Sequence, residues 1–442
     1  MAIGFAVVAR PGFAQTNQTS DATNSTNGPT RSSPPLFSLA EAKATAFERN
    51  WDLLAAKSGI SLATAQLIVA KEFPNPTASI STARIGTYGN ATTLGNSYWN
   101  RAYDTIFAVN QLIEIAGKRH DRQTSAREQI LGAKARFYDA KRTLDQGVTK
   151  AYIAALLAQS NAVILAESSG YLAREAQIAE ARFNAGDISD SDKKQIEINS
   201  EQFALQAQSA KAAAAQARVQ VEVLMGSPLA HGDWTPADSL AVLAQAEKPA
   251  FPTETNGLRP DVLAAESDVR KSTADLQLQR SLRIPDPTFL LEYEHNPSPP
   301  GPPKPDTFGI GVSFPLPIWN HNGGNIKSAE ATRDQFEAAL GKVRSQAVAD
   351  IANAQIAYDE AQARMRRYFG QIGPKASQVR QSVSYAYEKG GASLVDLLDA
   401  QRTDNDVRLA TAQAMADTAS AAADMNAAQT ILSESQLRRN VE

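Results

Sequence analysis

The sequence predicts a mostly α-helical chain written twice, each half placing a β-hairpin between a shorter helix and two very long ones. Three observations predict this. The device IPDPT at Ile284–Thr288 has a near-copy, FPNPT at Phe73–Thr77, 211 residues earlier in a chain of 442. Internal repetition fixes the architecture before any other reading. Long proline-free tracts, from Pro76 to Pro228 and after Pro317 except for Pro374, are filled with Ala, Gln, Glu, Lys, Arg and Leu. These are the strong helix formers. Finally, the stretches beside the second proline device alternate with a period of two, as half-buried strands do.

The repeat extends outward in order. DLLAAKS at Asp52–Ser58 returns as DVLAAES at Asp261–Ser267, at an offset of 209. RFNAGDISDSD at Arg182–Asp192 aligns with AYEKGGASLVD at Ala386–Asp396, at an offset of 204. That register pairs Phe183 with Tyr387, Gly186 with Gly390, Ser189 with Ser393 and Asp192 with Asp396. Shared helix composition does not place prolines and glycines in register. The expected units are therefore a first repeat at 36–227, a connector at 228–257, a second repeat at 258–435 and a tail at 436–442.

Each element follows from local chemistry. Helical patterning runs from about Lys118 to Phe183, from Ser189 to Leu224, from Ile326 to Tyr387 and from Ser393 to about Leu432. The first of these would be a rod roughly 100 Å long. Glycine-bearing tips, NAGD at Asn184–Asp187 and KGGA at Lys389–Ala392, read as turns of helical hairpins, since glycine supplies the left-handed residue that ends a helix. Pro374 aligns with Gly170, so both rods are expected to bend at the same height. X-Pro-X-Pro stops a helix and forces extended backbone, which is why each helix-to-strand crossing carries one.

In TFLLEYEH, Phe289, Leu291 and Tyr293 alternate with Leu290, Glu292 and Glu294. In TFGIGVSF, Phe308, Ile310, Val312 and Phe314 alternate with Gly309, Gly311 and Ser313. Weaker strands are expected in Ala78–Tyr88 and Tyr103–Leu112, and NPSPPGPPKP at Asn296–Pro305 is expected to be an exposed hairpin loop. Four strands cannot close a barrel alone, and hydrocarbon tolerates no open edge. Two chains would give eight strands and three would give twelve, the latter wide enough for a wet interior. Glu292 and Glu294 on one face suit such a lumen.

Composition narrows the function. A net charge of −3 offers no polycation for nucleic acid. Without cysteine the chain has no thiolate metal site, disulfide or lipidated cysteine. His120, His231, His295 and His321 lack ligand spacing, so no bound metal is expected. Nucleophile elbows, P-loops and dinucleotide motifs are absent from the sequence, so neither catalysis nor a cofactor is expected. Residues 1–14 resemble the second half of a secretory signal, lacking its positively charged start, and 15–35 read as a disordered linker. No other run of about 18 apolar residues stands out, so no membrane helix is expected.

Taken with EIAGKRHDR at Glu114–Arg122 and VSFPLPIWNHNGGNI at Val312–Ile326, these pieces resemble the outer-membrane efflux proteins, the TolC-like outer-membrane factors. The last two resemble their heavy-metal efflux branch most. The resemblance runs from about Leu36 to Leu432. It implies a homotrimer with a transmembrane twelve-stranded β-barrel in outer-membrane lipid and a long α-helical barrel across the periplasm. It also implies a periplasmic adaptor and an inner-membrane pump of the resistance-nodulation-division type, with metal ions or small toxic compounds as cargo.

Carried over residue by residue, the resemblance places a periplasmic entrance ring on Asp396 and Asp399, one helical turn apart. Asp192 and Tyr387 become a latch between neighbouring hairpins. Gly186, Asp187, Gly390 and Gly391 become tip contacts for the adaptor. Many relatives carry a basic residue where this chain has Ala392, so a latch needing that charge is not expected. Competing readings are the outer-membrane component of a type I protein-secretion system and, from another class, a soluble coiled-coil scaffold; a scaffold would not need the alternating strand face.

Overall fold

The computed structural model of the chain describes residues 34–83, 104–245, 257–296 and 305–438. The signal-like stretch, most of the linker and the interior of the proline-rich loop lie outside the described residues. A short strand β1 (Leu36–Phe37) precedes α1 (Leu39–Arg49) and α2 (Trp51–Lys71). After the first proline device come β2 (Thr77–Ala83), β3 (Asp104–Leu112), α3 (Lys118–Ala185) and α4 (Asp190–Leu224). A connector holding β4 (Thr235–Pro236) and α5 (Leu240–Ala244) leads to α6 (Pro260–Ser281). The second half continues with β5 (Thr288–His295), β6 (Thr307–Ser313) and α7 (Gly323–Arg367). It closes with α8 (Gly373–Glu388), α9 (Leu394–Ala428) and α10 (Glu434–Arg438).

Both proline devices sit where expected, between α2 and β2 and between α6 and β5. The return crossings from strand to long helix need left-handed backbone, at Ala116 (φ 60°) and Gly117 (φ 76°) before α3 and at Asn322 (φ 60°) before α7. Helix α3 is one unbroken rod of 68 residues, about 100 Å long. Its counterpart is not unbroken. A π-helical turn, Tyr368–Ile372, separates α7 from α8 and is closed by the Gly373 N–H donating to the Tyr368 carbonyl. The expected common bend thus occurs only in the second rod. Gly170 keeps its N–H and continues the helical ladder, whereas Pro374 has none, and the widened turn moves the Gly370 carbonyl off the proline ring.

The four long-range strands form one antiparallel sheet in the order β2-β3-β5-β6. Its register makes two distinct faces. One face aligns Ile80, Phe107, Tyr293 and Phe308 in a row across all four strands. Ala78, Val109, Leu291 and Ile310 form the next row. These side chains look outward, Ile310 being 89% exposed. The other face carries Ser79, Ala108, Glu292 and Gly309, then Ser81, Ile106, Glu294 and Thr307. Glycine at 309 leaves room for the Glu292 side chain, whose carboxylate oxygen would lie 2.6 Å from a Cβ there.

Helix packing repeats the strand order. At the sheet end, α2 packs on α3, α3 on α6 and α6 on α7; at the tip end α4 packs on α3, α3 on α9 and α9 on α8. Midway along the rods a core gathers Tyr152, Trp234, Phe37 and Val148. Tyr152 is fully buried, and its hydroxyl bridges the Phe37 carbonyl (2.8 Å) and the Asp238 carboxylate (2.9 Å), clamping the paired β1 and β4 onto α3. One expectation needs correction. Helix α2, and a window within α3, are long and apolar enough to cross a membrane by length and composition. In α2, however, Leu53, Ala63, Leu67 and Ala70 are buried, while Trp51, Leu62, Ile68 and Val69 are exposed on its unpartnered side.

Candidate functional site: the paired helical tips

The two tips are built by one device used twice. Gly186 (φ 85°) ends α3, its N–H bonding the Phe183 carbonyl while the Asp187 N–H reaches back to Arg182. Gly390 (φ 74°) ends α8, bonding Tyr387, while the Gly391 N–H reaches Ala386. Both pairs form the double bond of a Schellman ending, which needs the left-handed residue glycine provides. The next helices then start on serine caps. The Ser189 hydroxyl accepts from the Asp192 N–H (3.1 Å), and the Ser393 hydroxyl accepts from the Asp396 N–H (3.2 Å).

Asp396 and Asp399 are both exposed on the first turns of α9. They differ in role. The Asp396 carboxylate accepts from the Ser393 hydroxyl (2.7 Å) and N–H (3.0 Å), completing a capping box. Those two bonds, the hydroxyl first, hold its carboxyl below the ordinary carboxylate range. Asp399 makes no bond or ion pair within the described residues. Its carboxylate is free to act on the solvent beside it.

Tyr387 and Asp192 lie near one another within a single chain, though no hydrogen bond joins them. The Tyr387 ring is half-buried under the Arg182 guanidinium, 5.4 Å from its centroid. Burial pushes the phenol up; Glu175 and Asp192 add to this and Arg182 opposes it.

Further from the tips lies a polar cluster that reading the sequence did not single out. The Asp404 carboxylate on α9 is buried and takes the Ser377 hydroxyl (2.9 Å) and Arg380 (3.0 Å) from α8. Arg380 also stands over the Tyr171 ring of α3, and the Tyr171 hydroxyl shares a 2.6 Å hydrogen bond with Ser384. Ser168 on α3 donates to Asn405 on α9 (3.0 Å). Buried Glu175 is pushed up by desolvation first, with Glu388 adding. The signal was available as helical spacing: Tyr171 and Glu175 are four apart, and Arg380, Ser384 and Tyr387 follow at four and three. This end of the rods combines these polar contacts with buried apolar side chains, among them Leu172, Phe203, Leu398, Ile196 and Leu397, and α8 buries no residue fully. Among the described residues no group of histidines and carboxylates could hold a metal ion.

A four-stranded sheet with an apolar outer face, standing on helical hairpins some 100 Å long, is a distinctive architecture. The model of the family described as "Outer membrane efflux protein" matches residues 44–227 and 252–429. The chain belongs to that family. The efflux proteins it is similar to include the cobalt-zinc-cadmium resistance protein CzcC of Cupriavidus metallidurans, 26% identical over 353 residues, which cover 79% of this chain and 82% of that one. Among solved structures, the outer-membrane channel OprN superposes with a TM-score of 0.74 at 19% identity, covering 94% of this chain and 98% of that one. The CmeC outer membrane channel of Campylobacter jejuni gives 0.72 at 19% identity, covering 88% and 85%. At such identities the structures show the fold. The family match carries the function: an outer-membrane efflux channel with a helical extension.

Proposed function

We propose that three copies of this efflux protein close head to tail into one duct, which conducts substrate passively from an inner-membrane pump to the outside. The observation that carries this reading is the shared order of strands and helices. The sheet ends in β2 and β6, and among the described residues neither has a partner on its outer side. The helices end on the matching sides in α2 and α4 and in α7 and α8. Each of these outer helices exposes apolar side chains: Trp51 and Ile68 on α2, Leu205 on α4, Val348 and Ile356 on α7, Val379 on α8. Unlike edges at the two sides of one body call for a ring of copies. Three copies give twelve strands, enough for a water-filled lumen, with Glu292 and Glu294 facing the water and the Ile310 face in lipid.

At the other end, Asp396 and Asp399 would form two rings of three carboxylates narrowing the entrance. Such rings attract cations. Tyr387 of one hairpin and Asp192 of its neighbour would latch it. Gly186, Asp187, Gly390 and Gly391, at the extreme tips, would meet a periplasmic adaptor linking the duct to a pump of the resistance-nodulation-division type. Cargo is metal ions or small toxic compounds, the metal reading drawing on the name of the Cupriavidus relative. The repeats at 36–227 and 258–435, joined by 228–257, are the units of this ring.

Planar-bilayer recording of purified material tests the reading. Discrete cation-preferring steps are expected, larger for Tyr387→Phe than for the parent chain. Material that folds but never conducts would refute the duct. Loss of the chain from its host is expected to lower tolerance to cobalt, zinc or cadmium; unchanged metal tolerance with lowered dye tolerance would move the cargo to organic compounds.

A further inference from the structure

A cavity of about 320 Å³ opens where α1 and α3 of the first half meet the start of α6 and the end of α9 from the second. It separates two parts of the core. On one side Phe47 packs on the cluster around Tyr152; on the other, Tyr138 and Leu432 pack on the cluster of Leu131, Ala135 and Leu263. Both aromatic rings line the gap, and Pro260 and Ile431 complete its apolar wall. That wall is built before anything binds. The backbones of Leu258 and Leu432 exchange two hydrogen bonds, of 3.1 and 2.8 Å, which fix the chain beside Ile431.

The charged groups at this cavity leave one positive charge over. Asp145 is held by Lys43 at 3.1 Å. Arg142 is held by Asp139 at 2.8 Å and donates to the Ala427 carbonyl at 3.3 Å, and Asp261 and Asp350 also feel its charge. Lys141 has no carboxylate partner among the described residues. Its ammonium stands 4.8 Å over the Phe47 ring, a contact that places it at the cavity wall. The exposed Asn426 amide lines the same space and makes no hydrogen bond among the described residues. An unpaired ammonium and a free amide donor beside two aromatic rings are the complement of a carboxylate on a flat apolar body. The volume lies at the small end of ligand pockets, which suits a molecule of one or two rings.

We propose that this cavity binds an aromatic carboxylate, its rings between Phe47 and Tyr138 and its carboxylate on Lys141 and Asn426. The site is complete within one chain, so it does not depend on how copies close into a duct. A ligand seated there ties the first half of the chain to the second and stabilises the joint by mass action.

The full chain in phosphatidylcholine nanodiscs is irradiated with a benzophenone carboxylate, and the labelled peptides are located by mass spectrometry. Label is expected on the segments carrying Phe47, Tyr138 or Ile431. Excess naphthoate should suppress it, whereas the uncharged naphthalenemethanol should not. Lys141→Met is expected to cut labelling at sub-saturating probe about tenfold, with its melting temperature unchanged, and Lys141→Arg should restore most of it. Thr430→Trp, which narrows the cavity and leaves Lys141 in place, should abolish labelling. A chain that takes no label at these segments would overturn the proposal. Equal suppression by the alcohol, or labelling indifferent to Lys141→Met, would overturn it too, since the rings alone would then be the attraction.

Discussion

Lys118 and Asp286 form an ion pair of 2.7 Å, the lysine side chain only 3% exposed and the carboxylate 17%. The pair ties the first turn of α3 to the middle of the second proline device. It is extended by the Ile115 N–H on the Asp286 carboxylate (2.9 Å) and by Lys118 donating to the Ile284 carbonyl. Both halves of the duplication are locked together where helices become strands. Removing one partner leaves the other charge buried, so Lys118→Met is expected to cost about 3–5 kcal/mol. Thermal unfolding checks this, and a Lys118→Met/Asp286→Leu double variant should recover most of the loss.

Asp396 and Asp399, proposed to line the entrance, should separate by function. Asp399→Asn is expected to reduce cation preference, read as a reversal potential moving towards zero, while leaving the melting temperature unchanged. Asp396→Ala should lower both, because its carboxylate also closes the α9 cap. The Asp396 carboxyl is depressed in the folded chain. Its capping contribution is therefore complete above the unfolded value of about 4 and is lost as pH falls through the lower folded value. Melting of the parent followed below pH 5 should show this dependence, and Asp396→Ala should lack it.

Backbone strain gives two substitutions of opposite sign. Ala116 holds a left-handed conformation that a glycine would adopt freely, so Ala116→Gly is expected to stabilise by about 1 kcal/mol. Gly226, also left-handed, lies so close to α1 that a Cβ would be 2.3 Å from the Arg49 carbonyl oxygen. Gly226→Ala is expected to cost more than about 2 kcal/mol. Denaturant unfolding of both variants in detergent checks the pair.

Glu175 is a buried carboxylate raised by desolvation. A raised acid is stabilised as the neutral form, so its contribution is best below the unfolded value and weakens as pH rises through the folded one. Glu175→Gln is accordingly expected to raise the melting temperature at pH 7 and to have no effect near pH 3. A parent and variant that melt alike at pH 7 would contradict this.

The parts of the fold that were legible in the sequence are those made locally. Prolines that stop helices, glycines that end them and period-two strands act within a few residues, and each lies where its chemistry put it. The tips were legible for the same reason. The Gly170 and Pro374 pairing misled because an alignment weighs both positions alike, while only one lacks an N–H. The Asp404, Arg380, Tyr171 and Glu175 cluster was missed because packing between rods creates it, and its members look like ordinary helix-surface residues. The unpartnered side of α2 was equally hidden, since only the packing shows Trp51, Leu62 and Ile68 left bare.

The number of chains in the detergent-extracted complex, measured by native mass spectrometry, tests the central claim most directly. Head-to-tail closure of β6 on a neighbouring β2 predicts three copies and twelve strands. A stable complex of one or two chains would contradict it.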